Sequence, residues 1–254
     1  MKLAAWNVNS LNVRLPHVIE WLKAHEPSVL CLQELKMEDA KFPLTAFEDI
    51  GYQAVFNGQK TYNGVALISR SRPEDVTRDI AGYEDHQKRV IAATIEGVRV
   101  VCVYIPNGQT VDSEKYQYKL QWLNALQGYM RGAIAEYGDV ALLGDYNIAP
   151  DDRDVYDPKA WEGQVLCSVP ERDAFRALVS LGLVDSFRLF DQPEKSYSWW
   201  DYRMNGFKRN LGLRIDHILL TPGLAARCKA SLIDLEPRKL ERPSDHAPVV
   251  ADIA

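Results

Sequence analysis

The sequence predicts an α/β protein in which two mixed β-sheets pack face to face with helices outside them, a layered sandwich. Three observations carry that expectation. Strand-like and helix-like apolar patterns alternate along the chain. Several short strand patterns follow one another across tight turns, so antiparallel pairs must be present, which a purely parallel doubly wound sheet would not supply. The strand patterns also stop repeatedly beside polar side chains, among them Asn7, Glu34 and Asp145, where α/β scaffolds present chemistry. The chain has 254 residues and neither a Gly/Ser-rich linker nor an abrupt compositional shift, so a single domain over residues 1–254 is expected.

The first strand runs from Lys2 to Val8, with Leu3, Ala5 and Asn7 alternating against Ala4, Trp6 and Val8. Leu15, Val18, Ile19 and Leu22 then recur at helical spacing, with Pro16 early and Pro27 beyond the end. Ser28 to Leu32 is the second strand and runs out at Glu34. Tyr52 to Phe56, Val65 to Ser69, Arg89 to Ile95 and Val98 to Tyr104 read as further strands, the last two joined by a tight hairpin at Glu96-Gly97. Asp112 or Ser113 caps a long helix carrying Tyr116, Leu120, Leu123, Met130 and Ile134, which stops at Gly138. Val140 to Leu143 is a strand that delivers Asp145. Pro170 opens a helix with Phe175, Leu178 and Val179 on one face and Gly182 at its end. Leu213 to Leu220, Ala230 to Leu235 and Pro248 to Ile253 complete the strands.

A net charge of -5 argues against coating nucleic acid by bulk electrostatics and leaves room for a locally basic face. The four cysteines are widely spaced; Cys31 and Cys102 sit inside apolar runs, as buried reduced thiols do. No signal-peptide core precedes the first strand, and no apolar stretch approaches the roughly 20 residues of a membrane helix. These features predict a cytoplasmic protein without a membrane segment.

Glu34, Asp145, Asp216, Asp245 and His246 would gain nothing from burial together, because clustered carboxylates repel and lose hydration unless a cation compensates. Glu34 at a sheet mouth can hold Mg²⁺, and Asn7 on the neighbouring strand can add an oxygen ligand without adding charge. Gly144-Asp145-Tyr146-Asn147 reads either as a plain turn or as a base, Asp145, that takes a proton from water while Asn147 fixes its orientation. Asp216 can orient His246 and favour its protonated form. His217 points to the opposite face of its strand and is read as a core histidine or as one that supports the site from behind; His17, His25 and His86 belong to no constellation. Asp151 to Asp154 lacks the glycine of a calcium loop and reads as a solvated turn. Phosphate-binding glycine loops and a G-x-S-x-G elbow are absent.

Between Tyr197 and Arg214, four basic residues, Arg203, Lys208, Arg209 and Arg214, stand against the single acid Asp201, with aromatics interleaved. That composition suits stacking on bases or sugars and neutralising phosphates; the competing reading is a strand pair with core aromatics.

Taken in order, Trp6-Asn7-Val8-Asn9, Gln33-Glu34, Asn63-Gly64-Val65-Ala66, Tyr104-Ile105-Pro106-Asn107-Gly108, Gly144-Asp145-Tyr146-Asn147-Ile148-Ala149-Pro150, Trp199-Trp200-Asp201-Tyr202-Arg203, Arg214-Ile215-Asp216-His217 and Ser244-Asp245-His246 resemble the exonuclease III family of DNA-repair nucleases across essentially the whole chain. The resemblance implies a four-layer α/β sandwich like that of deoxyribonuclease I and a divalent metal, Mg²⁺ or Mn²⁺. It also implies hydrolysis of phosphodiesters in double-stranded DNA with abasic sites, nicks or blocked 3′ ends, by a monomer, leaving 3′-hydroxyl and 5′-phosphate ends. It makes Glu34 the main metal ligand, with Asn7 beside it and Asp245 near the metal or leaving group. Tyr104 and Asn107 contact the scissile phosphate, Asp145 and Asn147 serve the water, and His246 with Asp216 serves the phosphoryl oxygens, leaving the general base open between Asp145 and His246. Trp199, Arg203, Phe207, Lys208 and Arg209 become DNA contacts, and loops such as Trp161 to Ser168 shape the pocket. Related sandwiches include phosphoinositide phosphatases and sphingomyelinases, and an inactive binding module is the remaining alternative. Two positions depart from the family pattern: Leu35 replaces a common Thr, and Ser10 replaces a common Gly.

Overall fold

The computed structural model describes residues 1–254. In chain order the strands are β1 (Lys2–Asn7), β2 (Val29–Gln33), β3 (Gln53–Asn57), β4 (Val65–Ser69), β5 (Glu74–Arg78), β6 (Val90–Ile95), β7 (Val98–Tyr104), β8 (Val140–Asp145), β9 (Val184–Asp185), β10 (Trp199–Trp200), β11 (Gly212–Leu213), β12 (Asp216–Leu220), β13 (Cys228–Ile233) and β14 (Val249–Ile253). The helices are α1 (Leu11–His25), α2 (Leu44–Glu48), α3 (Glu114–Tyr137), α4 (Pro158–Trp161), α5 (Val169–Val179) and α6 (Pro222–Arg227). One six-stranded sheet has the order β13-β14-β1-β2-β4-β3, the other β5-β6-β7-β8-β12-β9, and β10-β11 forms a separate ribbon. The pairs β1-β2 and β7-β8 are parallel, whereas the hairpin β6-β7 is antiparallel. Both sheets are therefore mixed.

Strand alternation sorts the side chains into layers. Leu3 and Ala5 of β1, Val29 and Cys31 of β2, Ala141 and Leu143 of β8, and Ile218 and Leu220 of β12 meet in one buried cluster between the sheets. Their alternate neighbours face outward. Ala4, Trp6, Leu30 and Leu32 pack with Val18 and Leu22 of α1 and Phe47 of α2, while Val140, Leu142 and Leu219 pack with Leu126 of α3 and Leu178 of α5. Helix, sheet, sheet and helix are thus the four layers of a deoxyribonuclease I-like α/β sandwich. Each fully buried Leu or Val contributes ~1.5–3 kcal/mol, and this pattern fixes strand register, since a slip by one residue would exchange the inter-sheet set with the helix-facing set and spoil the packing of both.

The same alternation places the polar strand ends. Asn7 continues the inward ladder of Leu3 and Ala5, Asp145 that of Ala141 and Leu143, and Asp216 precedes Ile218 and Leu220. All three arrive at one end of the inter-sheet layer, where Asp216 pairs in register with Asp145, and Asp145 with Tyr104. Gly144 makes that approach possible: its φ is +146°, and a Cβ there would lie 1.9 Å from the Val103 carbonyl oxygen.

Several local expectations need correction. The Leu213 to Leu220 strand is interrupted at Arg214-Ile215 into β11 and β12. In α3 Tyr116, Leu123 and Met130 are buried as expected and Leu120 and Ile134 only half-buried, while the buried stripe also takes in Trp122, Leu126, Ala133 and a lysine, Lys119. Val179 is 38% exposed, so Phe175 and Leu178 alone carry the apolar face expected of α5. Asp154 lies in no solvated loop. It is fully buried and accepts from Arg214 and Arg188, and Arg214 is also committed to Asp185, which removes it from the basic surface. No helix is long and apolar enough to cross a membrane.

Candidate active site

Asn7 is the centre of the site. Its amide nitrogen donates to Glu34 Oε1 at 2.9 Å and to Asp145 Oδ2 at 2.8 Å, bringing carboxylates of opposite sheets together. Its amide oxygen accepts the Asn9 backbone N–H, so Asn7 turns a donor, where an oxygen ligand is expected, toward the acids. Glu34 has φ 54°, a left-handed conformation that ends β2 and turns its side chain back over the sheet mouth. There it also accepts from Tyr104 Oη at 3.0 Å and pairs with Lys36 at 2.9 Å.

Asp145 Oδ1 accepts the backbone N–H of Asn147, whose side chain donates to the Ile105 carbonyl and accepts from Asn107 at 3.0 Å. Across the cluster His246 Nδ1 lies 2.9 Å from Asp216 Oδ2, and its Nε2 lies 3.7 Å from Asp145 Oδ2. The Asp216 backbone N–H is itself fixed by Ser198 Oγ. One ring nitrogen is thus committed to Asp216 and the other faces Asp145.

Electrostatics divides the two titrating groups. Burial, opposed by the His246 charge and reinforced by Asp216, pushes the Asp145 carboxyl up to about 7. Burial alone would pull His246 down, but the Asp216 and Asp145 charges outweigh it and leave the imidazolium at about 10. Near neutrality His246 is cationic and Asp145 is poised to exchange a proton. Tyr104 is raised well above its ordinary value by burial and by Glu34, so it acts as a phenol donor. A cleft of about 610 Å³ opens beside it, lined by Asn63, Gln87, Arg89, Tyr104 and Asn107.

Glu34, Asp145 and His246 present ligand atoms within 4.8 Å of one another. Of these the carboxylates of Glu34 and Asp145 are the hard oxygen donors that a divalent cation suits, and a cation would relieve the burial penalty on Asp145. Asp245 stands slightly apart, its oxygens engaged by Asn9 Nδ2 and Trp199 Nε1 at 2.9 Å each.

The structure therefore brings together Asn7, Glu34, Tyr104, Asn107, Asp145, Asn147, Asp216 and His246, with Asp245 at the rim. The basic-aromatic segment divides. Arg203, Lys208 and Arg209 are exposed, but Trp199 is tied to Asp245, and Phe207 packs edge-on against Trp200 at 5.0 Å and under Arg238. Those two aromatics hold the segment onto the domain. His217 is a core histidine: its Nε2 donates to the Ile148 carbonyl, Arg214 donates to its Nδ1, and burial beside Arg214 lowers it to about 4. Sequence reasoning passed over Arg89, which sits above the Tyr104 ring at 4.7 Å, and Lys119, whose signal is a cation inside the apolar stripe of α3.

The sequence matches the model of the endonuclease/exonuclease/phosphatase family over residues 4–246. It is 38% identical to exodeoxyribonuclease III of Haemophilus influenzae, covering 99% of each chain. Among solved structures, a 3′ phosphatase from Neisseria bound to product DNA hairpin superposes with a TM-score of 0.99 at 51% identity, covering 100% of this chain and 99% of that one. An AP endonuclease from Archaeoglobus fulgidus superposes with a TM-score of 0.96 at 42% identity, with coverage of 100% and 99%.

Proposed function

The chain belongs to the endonuclease/exonuclease/phosphatase family and is a DNA-repair nuclease of the exodeoxyribonuclease III type; from that premise we propose how its site works and on which DNA. The substrate is double-stranded DNA with abasic sites, nicks or blocked 3′ ends. In each case water attacks phosphorus and the P–O3′ bond breaks, leaving a 3′-hydroxyl. One centre can serve all three, and the shape of the cleft sets their ratio.

Asp145 takes the proton from the attacking water, with its oxygens aimed by Asn7 and the Asn147 N–H. The observation that carries this assignment is the order in which the two groups titrate: both are displaced upward, but Asp145 only to about 7 and His246 to about 10. An imidazole already protonated at neutral pH cannot accept the water proton. His246, held by Asp216, stabilises the phosphoryl oxygens, and Tyr104 and Asn107 donate to the scissile phosphate. Glu34 is the principal holder of a Mg²⁺ or Mn²⁺ ion, with Asn7 fixing its orientation and Asp245 alongside. When bound, the ion supplies positive charge to the phosphate. Arg203, Lys208 and Arg209 meet backbone phosphates beyond the cleft, and Trp199 and Phe207 support that surface. The chain acts as a monomer and folds as one domain, the continuous cluster between its sheets supporting the single domain.

Rates on abasic, nicked and 3′-phosphate duplexes at fixed salt, with Mg²⁺, Mn²⁺ or chelator, test the proposal. Metal-dependent release of 3′-hydroxyl ends is expected from at least one duplex. Inertness toward all three in both metals overturns it.

A further inference from the structure

Lys119 is fully buried on α3, inside an otherwise apolar stripe. Its ammonium has three protons and three acceptors: the Asn107 carbonyl at 3.1 Å, the Asn147 carbonyl at 2.6 Å, and Glu171 of α5. Glu171 is equally saturated, accepting also from the Leu166 and Ser168 backbone N–H groups and the Ser168 hydroxyl. Tyr116 Oη reaches the same hydroxyl at 2.6 Å. The lysine stem is covered by the Asn107 loop, since a Cβ on Gly108 would lie 3.1 Å from Lys119 Cδ.

Stability is a poor reason for this arrangement. Desolvating an ammonium and a carboxylate consumes most of what their attraction returns, and apolar pairs of similar volume do as well or better. What the pair does provide is position. Its acceptors are the main-chain oxygens of the very residues whose side chains bond each other, Asn107 and Asn147, at the lip and floor of the cleft. Through Glu171 it also grips the segment from Trp161 to Ser168, which packs with Trp199 and Leu213 in an apolar cluster.

We propose that the buried Lys119–Glu171 pair is a positioning device for the reaction, holding the Asn107 and Asn147 loops in one register and coupling them to the 161–168 segment. The inference rests on the roles given above to Asn107 and Asn147. Lys119 touches no reacting atom. It keeps Asn147 N–H on Asp145 and Asn107 on the phosphate, so its loss acts on turnover more than on binding.

The decisive variant is Lys119→Met/Glu171→Gln, which removes both charges while the amide still accepts from Leu166 and Ser168 and no carboxylate is left unpaired. Lys119→Arg and Glu171→Gln are read beside it, with Asn147→Ala as reference, each at a temperature where near-UV circular dichroism is native. The double variant should lower kcat by about 10- to 100-fold while KM for the same duplex moves by less than about threefold. Lys119→Arg should recover part of the loss. A folded double variant with kcat within about twofold of wild type overturns the inference and leaves the pair a structural ornament of the core. If Asn147→Ala is itself fully active, the underlying reading of the site fails instead.

Discussion

The floor of the cleft and the Asp201 to Leu211 loop are built on opposite principles. On the floor, Asn7, Asp145, Asp216 and His246 are buried, and each side chain is held by another member of the group. In the loop, Arg203 has an 86% exposed side chain clipped only to Asp201, Met204 is 75% exposed with φ 57°, and Arg209 reaches no further than the Met204 carbonyl. Hydrolysis needs charges and donors fixed before the phosphate arrives, because reorganising them during the reaction would raise the barrier. Reading a duplex of varied damage, the role proposed for this loop, needs groups that can still adjust, and a segment with few buried apolar contacts adjusts at low cost. Trp199 joins the regions, standing at the root of the loop and donating to Asp245 at the rim of the floor.

Removing a floor residue should give the largest effect and leave the loop's work intact. His246→Ala is expected to lower turnover by about 10²–10⁴-fold with DNA affinity, read by fluorescence anisotropy, changed by less than about threefold. Near-normal turnover would take His246 out of the mechanism. A comparable loss of affinity would erase the division of labour between the regions.

The floor's electrostatics can be broken separately from its chemistry. In the folded protein the His246 value of about 10 lies above its ordinary 6.5, because Asp216 and Asp145 outweigh the burial penalty. A raised cationic group contributes stability that is complete below the unfolded value and lost as pH climbs through the folded one. Asp216→Asn should therefore lower the metal-free Tm most at about pH 6, and the gap from wild type should close toward about pH 10. A gap independent of pH would mean that Asp216 acts by packing or by its bond to Ser198 alone.

The contrast also explains what could be read from the chain. The floor was legible because strand alternation is strict: once Leu3 and Ala5 face inward, Asn7 must too, and the same count carries Asp145 from Ala141 and Leu143. The pairing of Asp216 with His246 followed from residue types that have few other reasons to meet. Long-range partners were not legible. Nothing near Asp154 announces Arg214, 60 residues on, and local sequence does not distinguish this buried ion pair from a solvated turn. The amide orientation of Asn7 depends on the Asn9 N–H and two side chains from elsewhere, Glu34 and Asp145, which no local pattern encodes. β5 escaped because its residues, Glu74–Arg78, are mostly exposed at a sheet edge, where charge guards against further pairing.

The loop predicts a smaller and differently shaped response. Arg203→Ala/Lys208→Ala should weaken DNA binding by about tenfold or less and reduce the salt slope of log K by roughly 1–2, with kcat at saturating DNA preserved. Loss of kcat without a change in salt slope would mean these cations serve the floor's geometry.

The smallest expected effect tests whether strain at the rim of the floor matters to chemistry. Ser10 has φ 89°, a conformation in which a side chain is disfavoured, and its N–H donates to the Glu34 carbonyl at 2.8 Å. Glycine relieves that strain but gains freedom in the unfolded chain, so Ser10→Gly should stabilise by only ~0.5–1 kcal/mol. The main-chain bond to Glu34 survives the substitution, and Asn9 still holds Asp245 and Lys36. A small rise in Tm with unchanged kcat and metal titration is therefore expected, which would show that Glu34 is placed by the bonds around it and not by tension in the turn. A shift in the metal titration without a change in Tm would reverse that conclusion, making the strained turn part of how Glu34 is presented.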